Sequence, residues 1–267
     1  MKLKLCDAKS LDIEKTFECG QCFRWNSDDR GVYTGVVGRY LAEVETIDGE
    51  VYITSDAPAE MWADYFDLAT DYAAVSTDFT GEYLHECIDY GMGIRILRQD
   101  SWEALCSFII SQCNNITRIK GIVERLCEQF GDKCETNGVG YYTFPSAERL
   151  AALRPSDLAG IRAGYRAEYI IAAARAVTQG ELDLDALKTC DYREAIRTLR
   201  QIRGVGEKVA NCVVLFGLYH MEAFPIDVWM KRALKEHFPA DFDPTSLGAY
   251  AGLAQQYIFY YARSGGK

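Results

Sequence analysis

Ile202-Arg203-Gly204-Val205-Gly206-Glu207-Lys208-Val209-Ala210 lies inside the stretch from Leu199 to Asp227 around which this chain is organised. An amphipathic helix runs into the Gly204–Gly206 turn, and a strongly apolar helix starts immediately after it. The turn is no P-loop, because no strand precedes it and no Gly-Lys-Ser/Thr ending follows. Two glycines permit a tight reversal. They also let the amides at the start of the second helix approach an anion without side-chain obstruction. A phosphodiester fits such a site whatever its base sequence. The glycines alone suit an ordinary packing turn between two helices as well.

Lys208 sits in the first turn of the second helix, where the helix dipole opposes a positive charge, among apolar Val209, Ala210, Cys212 and Val213. Such a setting favours the neutral, nucleophilic amine. Asp227 follows Pro225-Ile226 and precedes Val228-Trp229, a position that suits an N-cap. A carboxylate beside a lysine also suits chemistry in which positive charge develops on a sugar.

Outward from this stretch the pattern stays helical as far back as Gly91. Asp100 with Glu103 caps a helix carrying Trp102, Leu105, Cys106, Ile109 and Ile110. Gln112-Cys113-Asn114-Asn115 interrupts it. Ile119, Ile122, Val123, Leu126 and Phe130 mark the next helix, which Gly131 ends. Ser146 opens another, Gly164-Tyr165-Arg166 precedes one ending near Gly180, and Asp191 with Glu194 starts the helix entering the turn. A last helix, from about Ser246, carries Leu247, Tyr250, Leu253, Tyr257 and Ile258. Ahead of Gly91, alternating stretches Val32–Val37, Tyr40–Thr46 and Glu50–Thr54 read as antiparallel strands, with Asp48-Gly49 as a hairpin signal. The spacing therefore predicts an α+β chain, with a sheet domain over residues 1–90 and an all-α domain over 91–267.

The net charge of −10 argues at first against a nucleic-acid binder. Its distribution reverses that view. Residues 1–90 hold 7 Lys and Arg against 19 Asp and Glu, whereas residues 91–267 hold 22 against 20. Arg149, Arg154, Arg162, Arg166 and Arg175 form one basic cluster. Arg193, Arg197, Arg200, Arg203 and Lys208 form another. Either cluster could serve phosphates or be a solvated face. The ten cysteines, with no secretory leader, are expected to be reduced thiols in a cytoplasm. Cys19-Gly20-Gln21-Cys22 has zinc or redox spacing but no second pair, so a tight turn at Gly20 is the better reading. His85, His220 and His237 lack ligand spacing. Neither a metal, a nucleotide cofactor nor a membrane span is expected.

These residues resemble a known family. Ile202 to Ala210 with Pro225-Ile226-Asp227-Val228 is similar to the helix-hairpin-helix and Gly/Pro-Asp signature of base-excision DNA glycosylases. Gly20-Gln21-Cys22-Phe23-Arg24-Trp25, Leu97-Arg98-Gln99-Asp100, Asn114-Asn115-Ile116-Thr117-Arg118-Ile119, Gly164-Tyr165-Arg166-Ala167, and Ala251-Gly252-Leu253-Ala254-Gln255 with Phe259 resemble the eukaryotic-type 8-oxoguanine DNA glycosylase/AP lyases. The resemblance covers nearly the whole chain, in order.

The resemblance implies an enzyme that flips 8-oxoguanine from duplex DNA, excises it and cleaves the abasic strand by β-elimination. Lys208 is then the nucleophile that forms a Schiff base, and Asp227 its activator and the stabiliser of an oxocarbenium-like transition state. The Gly20 carbonyl accepts the N7–H that 8-oxoguanine has and guanine lacks. Phe259 and Cys212 wall the base, and Gln255 meets its Watson–Crick edge. Tyr165 wedges into the duplex, while Arg118 and Arg166 read the orphaned cytosine. Asn115 and the Gly204-Val205-Gly206 turn hold DNA. On helical pattern alone Phe259 and Cys212 fit core positions, and Gln255 fits a solvated one. Two positions depart from the family, with Cys113 where an asparagine stands and Trp229 where a histidine stands, so the opposite-base contacts and the polar support beside Asp227 differ here. The last cysteine is Cys212, so no iron–sulfur cluster is expected. A monomer in a bacterial cytoplasm is the expected setting. A glycosylase for other damaged bases and a non-catalytic DNA-binding module are the alternatives.

Overall fold

The structure is a computed structural model describing residues 1–265. Five antiparallel strands, β1 (Lys2–Asp7), β2 (Asn26–Ser27), β3 (Tyr33–Val37), β4 (Tyr40–Ile47) and β5 (Glu50–Ser55), form a sheet in the order β1-β5-β4-β3-β2. Ile47 pairs with Glu50 across the Asp48-Gly49 turn, as its hairpin signal predicts. Alternation turns Val51 and Ile53 of β5 and Ala42 and Val44 of β4 inward. They meet α1 (Ile13–Glu18) and α2 (Ala59–Tyr65) in a core centred on Phe17, Trp25, Trp62 and Phe66. Trp25 stacks on Phe17 at 4.3 Å and donates its indole N–H to the Tyr65 hydroxyl at 2.9 Å. That bond satisfies a polar atom that burial would otherwise strand.

The rest is helical: α3 (Tyr72–Ser76), α4 (Glu82–Gly91), α5 (Ser101–Ser111), α6 (Ile116–Phe130), α7 (Ala147–Ala151), α8 (Arg166–Thr178), α9 (Leu184–Leu187), α10 (Tyr192–Leu199), α11 (Glu207–Phe216), α12 (Val228–His237) and α13 (Ala251–Ser264), with 3-10 turns at Pro155–Ile161 and Pro244–Tyr250. A small hairpin, β6 (Lys133–Thr136) with β7 (Val139–Tyr142), interrupts this part, which the sequence pattern presents as all-α. Residues on the sheet side of position 90 also enter the helical core. Tyr72, Leu84, Cys87 and Ile88 share it with Tyr257 and Ile258 of α13.

Residues 19–25 run along the seam between the two cores. Cys19 and Phe23 face the helical one, Cys22 and Trp25 the sheet one. The buried Gln21 stitches this seam, donating to Thr16 O at 2.9 Å and Arg95 O at 2.8 Å and accepting from Leu97 N–H at 2.9 Å. Cys19 and Cys22 are thus packed as small apolar side chains. All ten cysteines are free; six are buried and only Cys113 is exposed. Among the described residues no helix is long and apolar enough to cross a membrane.

Candidate active site

The helical hairpin forms as its glycines demand. Gly204 has φ +85°, and a Cβ there would overlap the Tyr169 ring, so both its backbone angle and its packing exclude a side chain. Val205 is buried, and Gln112 Nε2 donates to Gly204 O at 3.0 Å, tying the hairpin to the loop between α5 and α6. Gly206 is the N-cap of α11 and brings no side chain to cap it. The first amides of the helix are therefore open to an anion.

Lys208 is half-buried in the first turn of α11. Its Nζ lies 3.5 Å from Ser111 Oγ and 5.6 Å from the centre of the Phe108 ring. One turn on, Cys212 is buried. Burial pushes its thiol pKa up, and the Lys208 ammonium beside it pulls the other way. Asp227 caps α12, its Oδ1 accepting from Met230 N–H at 2.9 Å. One carboxylate oxygen thus anchors the group to the helix start, leaving the other for the pocket.

These residues close on one cavity. Lys208, Cys212, Asp227, Gly20, Gln255 and Phe259 all line it, with Phe108, Phe216 and Pro225 as apolar walls. The fold therefore brings together every residue expected to carry the chemistry or to face the base. Gly20 takes φ +80°, and its Cβ position lies 3.5 Å from the Phe259 ring. Gln255 is only 4% exposed, and its Oε1 is buried with no partner. A buried acceptor left unpaired is costly unless a ligand supplies the donor. Sequence reasoning passed over Gln256, whose buried amide donates to Cys19 O at 2.7 Å. Two adjacent glutamines inside the apolar run Ala251–Ile258 were the available signal.

The residues expected to touch DNA are less uniform. Asn115 caps α6 by accepting from Arg118 N–H at 2.9 Å, and the exposed Arg118 side chain has no protein partner. Tyr165 is 52% exposed just ahead of α8, its ring edge-on to Tyr169 at 5.6 Å. Arg166 is 4% exposed, with its nitrogens occupied by the carbonyls of Gln112, Cys113 and Ala163. Sequence reasoning paired it with Arg118 as a base reader; its bonds here make it the brace of the 112–115 loop. Cys113 in that loop has φ +48°, a conformation asparagine adopts more readily. Trp229, 37% exposed, lines an outward groove with Tyr83, His237 and Tyr261.

The basic clusters are partly neutralised. Arg149 pairs with Asp132 at 2.9 Å, Arg203 with Glu168 at 2.8 Å and Arg200 with Glu207 at 2.7 Å. Arg162 and Arg197, like Arg118, have no side-chain partner among the described residues.

Comparison with known proteins agrees with this geometry. Residues 4–105 match the 8-oxoguanine DNA glycosylase N-terminal domain, and residues 106–252 match the HhH-GPD superfamily of base excision DNA repair proteins. The structure of MBOgg1 in complex with a low affinity DNA ligand is 38% identical, with a TM-score of 0.92 over 100% of this chain and 96% of that one. The Clostridium acetobutylicum 8-oxoguanine glycosylase/lyase, in complex with double-stranded DNA containing cytosine opposite to 8-oxoG, is 35% identical, with a TM-score of 0.90 over 100% of this chain and 99% of that one. A probable N-glycosylase/DNA lyase of Methanothermobacter thermautotrophicus is 30% identical over 75% of this chain and 73% of that protein. With its helix-hairpin-helix, the lysine that follows it and the capping aspartate in one pocket, the chain belongs to the HhH-GPD superfamily of base-excision DNA repair proteins, in the group that carries the 8-oxoguanine DNA glycosylase N-terminal domain.

Proposed function

We propose that this protein excises 8-oxoguanine from duplex DNA and then cleaves the abasic strand through a Schiff base on Lys208. The observation that carries this reading is the single pocket in which Lys208 and Asp227 meet Gly20, Gln255 and Phe259. An 8-oxoguanine glycosylase/lyase from C. acetobutylicum with nearly the same fold supports it.

The base must leave the stack to enter this pocket, and Phe259 offers it a replacement stacking face. The Watson–Crick edge of a guanine presents N–H donors, which match the orphaned Oε1 of Gln255. At N7 the lesion carries a proton and guanine a lone pair. A carbonyl at Gly20 attracts the first and repels the second, and burial magnifies the difference. The Lys208 amine donates its electron pair to C1′. The C1′–N9 bond breaks, its electrons leave with the base, and the base takes up a proton. The Asp227 carboxylate faces the positive charge that grows on the sugar meanwhile. Opening of the sugar ring gives the imine between Lys208 and C1′. Loss of a C2′ proton then expels the 3′ phosphate by β-elimination. Arg118, exposed on α6, and Arg166, behind the 112–115 loop, are the residues proposed to read the orphaned cytosine.

Borohydride reduction tests this directly. Wild-type protein is expected to form a covalent adduct with an 8-oxoguanine:cytosine duplex, and Lys208→Gln is expected to form none. Absence of an adduct from the wild type would sink the lyase step.

A further inference from the structure

Glu18, Cys19, Gly20 and Gln21 present four consecutive carbonyls in the segment whose Cys19 and Gly20 line the base pocket. Three are held by side chains. Glu18 O accepts from Arg263 Nη2, Cys19 O from Gln256 Nε2 at 2.7 Å, and Gln21 O from Gln99 Nε2 at 2.8 Å. The Gly20 carbonyl alone accepts no hydrogen bond among the described residues. Gln256 and Arg263 stand two turns apart on α13, the helix that also carries Gln255 and Phe259. The amide of Gln256 is 1% exposed. The Arg263 guanidinium lies 5.5 Å from the centre of the Phe259 ring, with its Nη1 buried and unpaired. Neither side chain is a free surface group that strays onto these carbonyls.

We infer that Arg263 and Gln256 are positioning residues for lesion recognition, holding the turn so that the Gly20 carbonyl keeps facing the base. This rests on the functional reading above. The reason lies in glycine itself. At φ +80° Gly20 has no Cβ to resist rotation of the peptide that joins it to Gln21. A flip of that peptide would replace the carbonyl with the Gln21 N–H. A donor there welcomes the N7 lone pair of undamaged guanine and repels the N7–H of the lesion. Clamps on the two carbonyls before it, those of Glu18 and Cys19, fix the chain that enters the turn and so oppose the flip. They also tie the reader of N7 to the helix that stacks the base and reads its far edge, so that all three contacts share one rigid frame.

The test compares two reactions of the same protein. Excision of 8-oxoguanine uses the Gly20 contact; borohydride trapping on a duplex with a preformed abasic site needs Lys208 but no base. Arg263→Gln is expected to slow single-turnover excision from an 8-oxoguanine:cytosine duplex by at least about tenfold, the order of one misplaced hydrogen bond, with abasic trapping within about twofold of wild type. Arg263→Lys, whose side chain is long enough to bring a donor to Glu18 O where the shorter glutamine is not, is expected to recover most of the excision rate. Excision by Arg263→Gln at the wild-type rate would overturn the inference. So would excision and abasic trapping falling in step in both variants, which is what a merely structural arginine produces. Failure of the wild type to excise or to trap strikes the functional reading itself, and the inference with it.

Discussion

Glu103 shows how far a single side chain can depart from what its position in sequence suggests. Asp100 caps α5 as expected, accepting from Glu103 N–H at 2.8 Å. The Glu103 carboxylate does not complete the box; it turns inward toward Arg24, 3.6 Å from its Nη1. Burial pushes this carboxyl up from 4.5 to about 7, with the Arg24 guanidinium opposing the shift. Between those values the folded chain keeps a proton that the unfolded chain has released, so this group lowers stability as pH rises. The urea midpoint of the wild type is expected to carry a declining component between about pH 5 and 7 that Glu103→Gln removes. Parallel pH profiles for the two proteins would refute it. The cap was legible because it is local. The burial was not, because Arg24 comes from the distant seam segment. Gln255 repeats the point: its helical position allowed a solvated residue, and only the closure of α13 over Gly20 makes its oxygen a buried acceptor.

Most helices announced themselves. Asp100, Ser146, Asp191 and Asp227 all cap the helices they precede, as their positions in sequence suggest. The β6–β7 hairpin was missed although Asn137-Gly138 is a hairpin signal, because its strands are short and bury no side chain, so no apolar alternation marks them in the sequence. The turn between α10 and α11 is the element with the least freedom. Gly204→Ala is expected to lower stability by about 1–3 kcal/mol from the backbone alone, and by more through displacement of Tyr169. Since Gly204 O also holds Gln112, the 112–115 loop should loosen too, and affinity for DNA should fall. Urea unfolding and fluorescence anisotropy on a lesion duplex check the two effects, and an unchanged midpoint would contradict the packing argument.

Across the whole molecule the acidic sheet region and the paired arginines leave a sparse cationic surface. Within the two basic clusters only the side chains of Arg162 and Arg197 have no partner among the described residues, and with these two as phosphate contacts the logarithm of DNA affinity is expected to fall against the logarithm of salt with a slope of roughly −2. Arg197→Ala should make that slope shallower by about one; a slope untouched by this change would mean that this face does not meet DNA. The division into a sheet region and a helical region was readable from periodicity, and the residues of the pocket from their ordered motifs. The seam was not, since residues 19–25 are too few and too irregular to show by pattern that one side serves each core. Their packing has a consequence for an enzyme that works where guanine is being oxidised. Oxidants attack thiolates. Burial pushes the thiols of Cys19, Cys22, Cys87, Cys106, Cys127 and Cys212 upward, away from that form. The chain is thereby a poor target for the agents that create its substrate, and Cys113, on the loop that Arg166 braces, is the thiol they meet first.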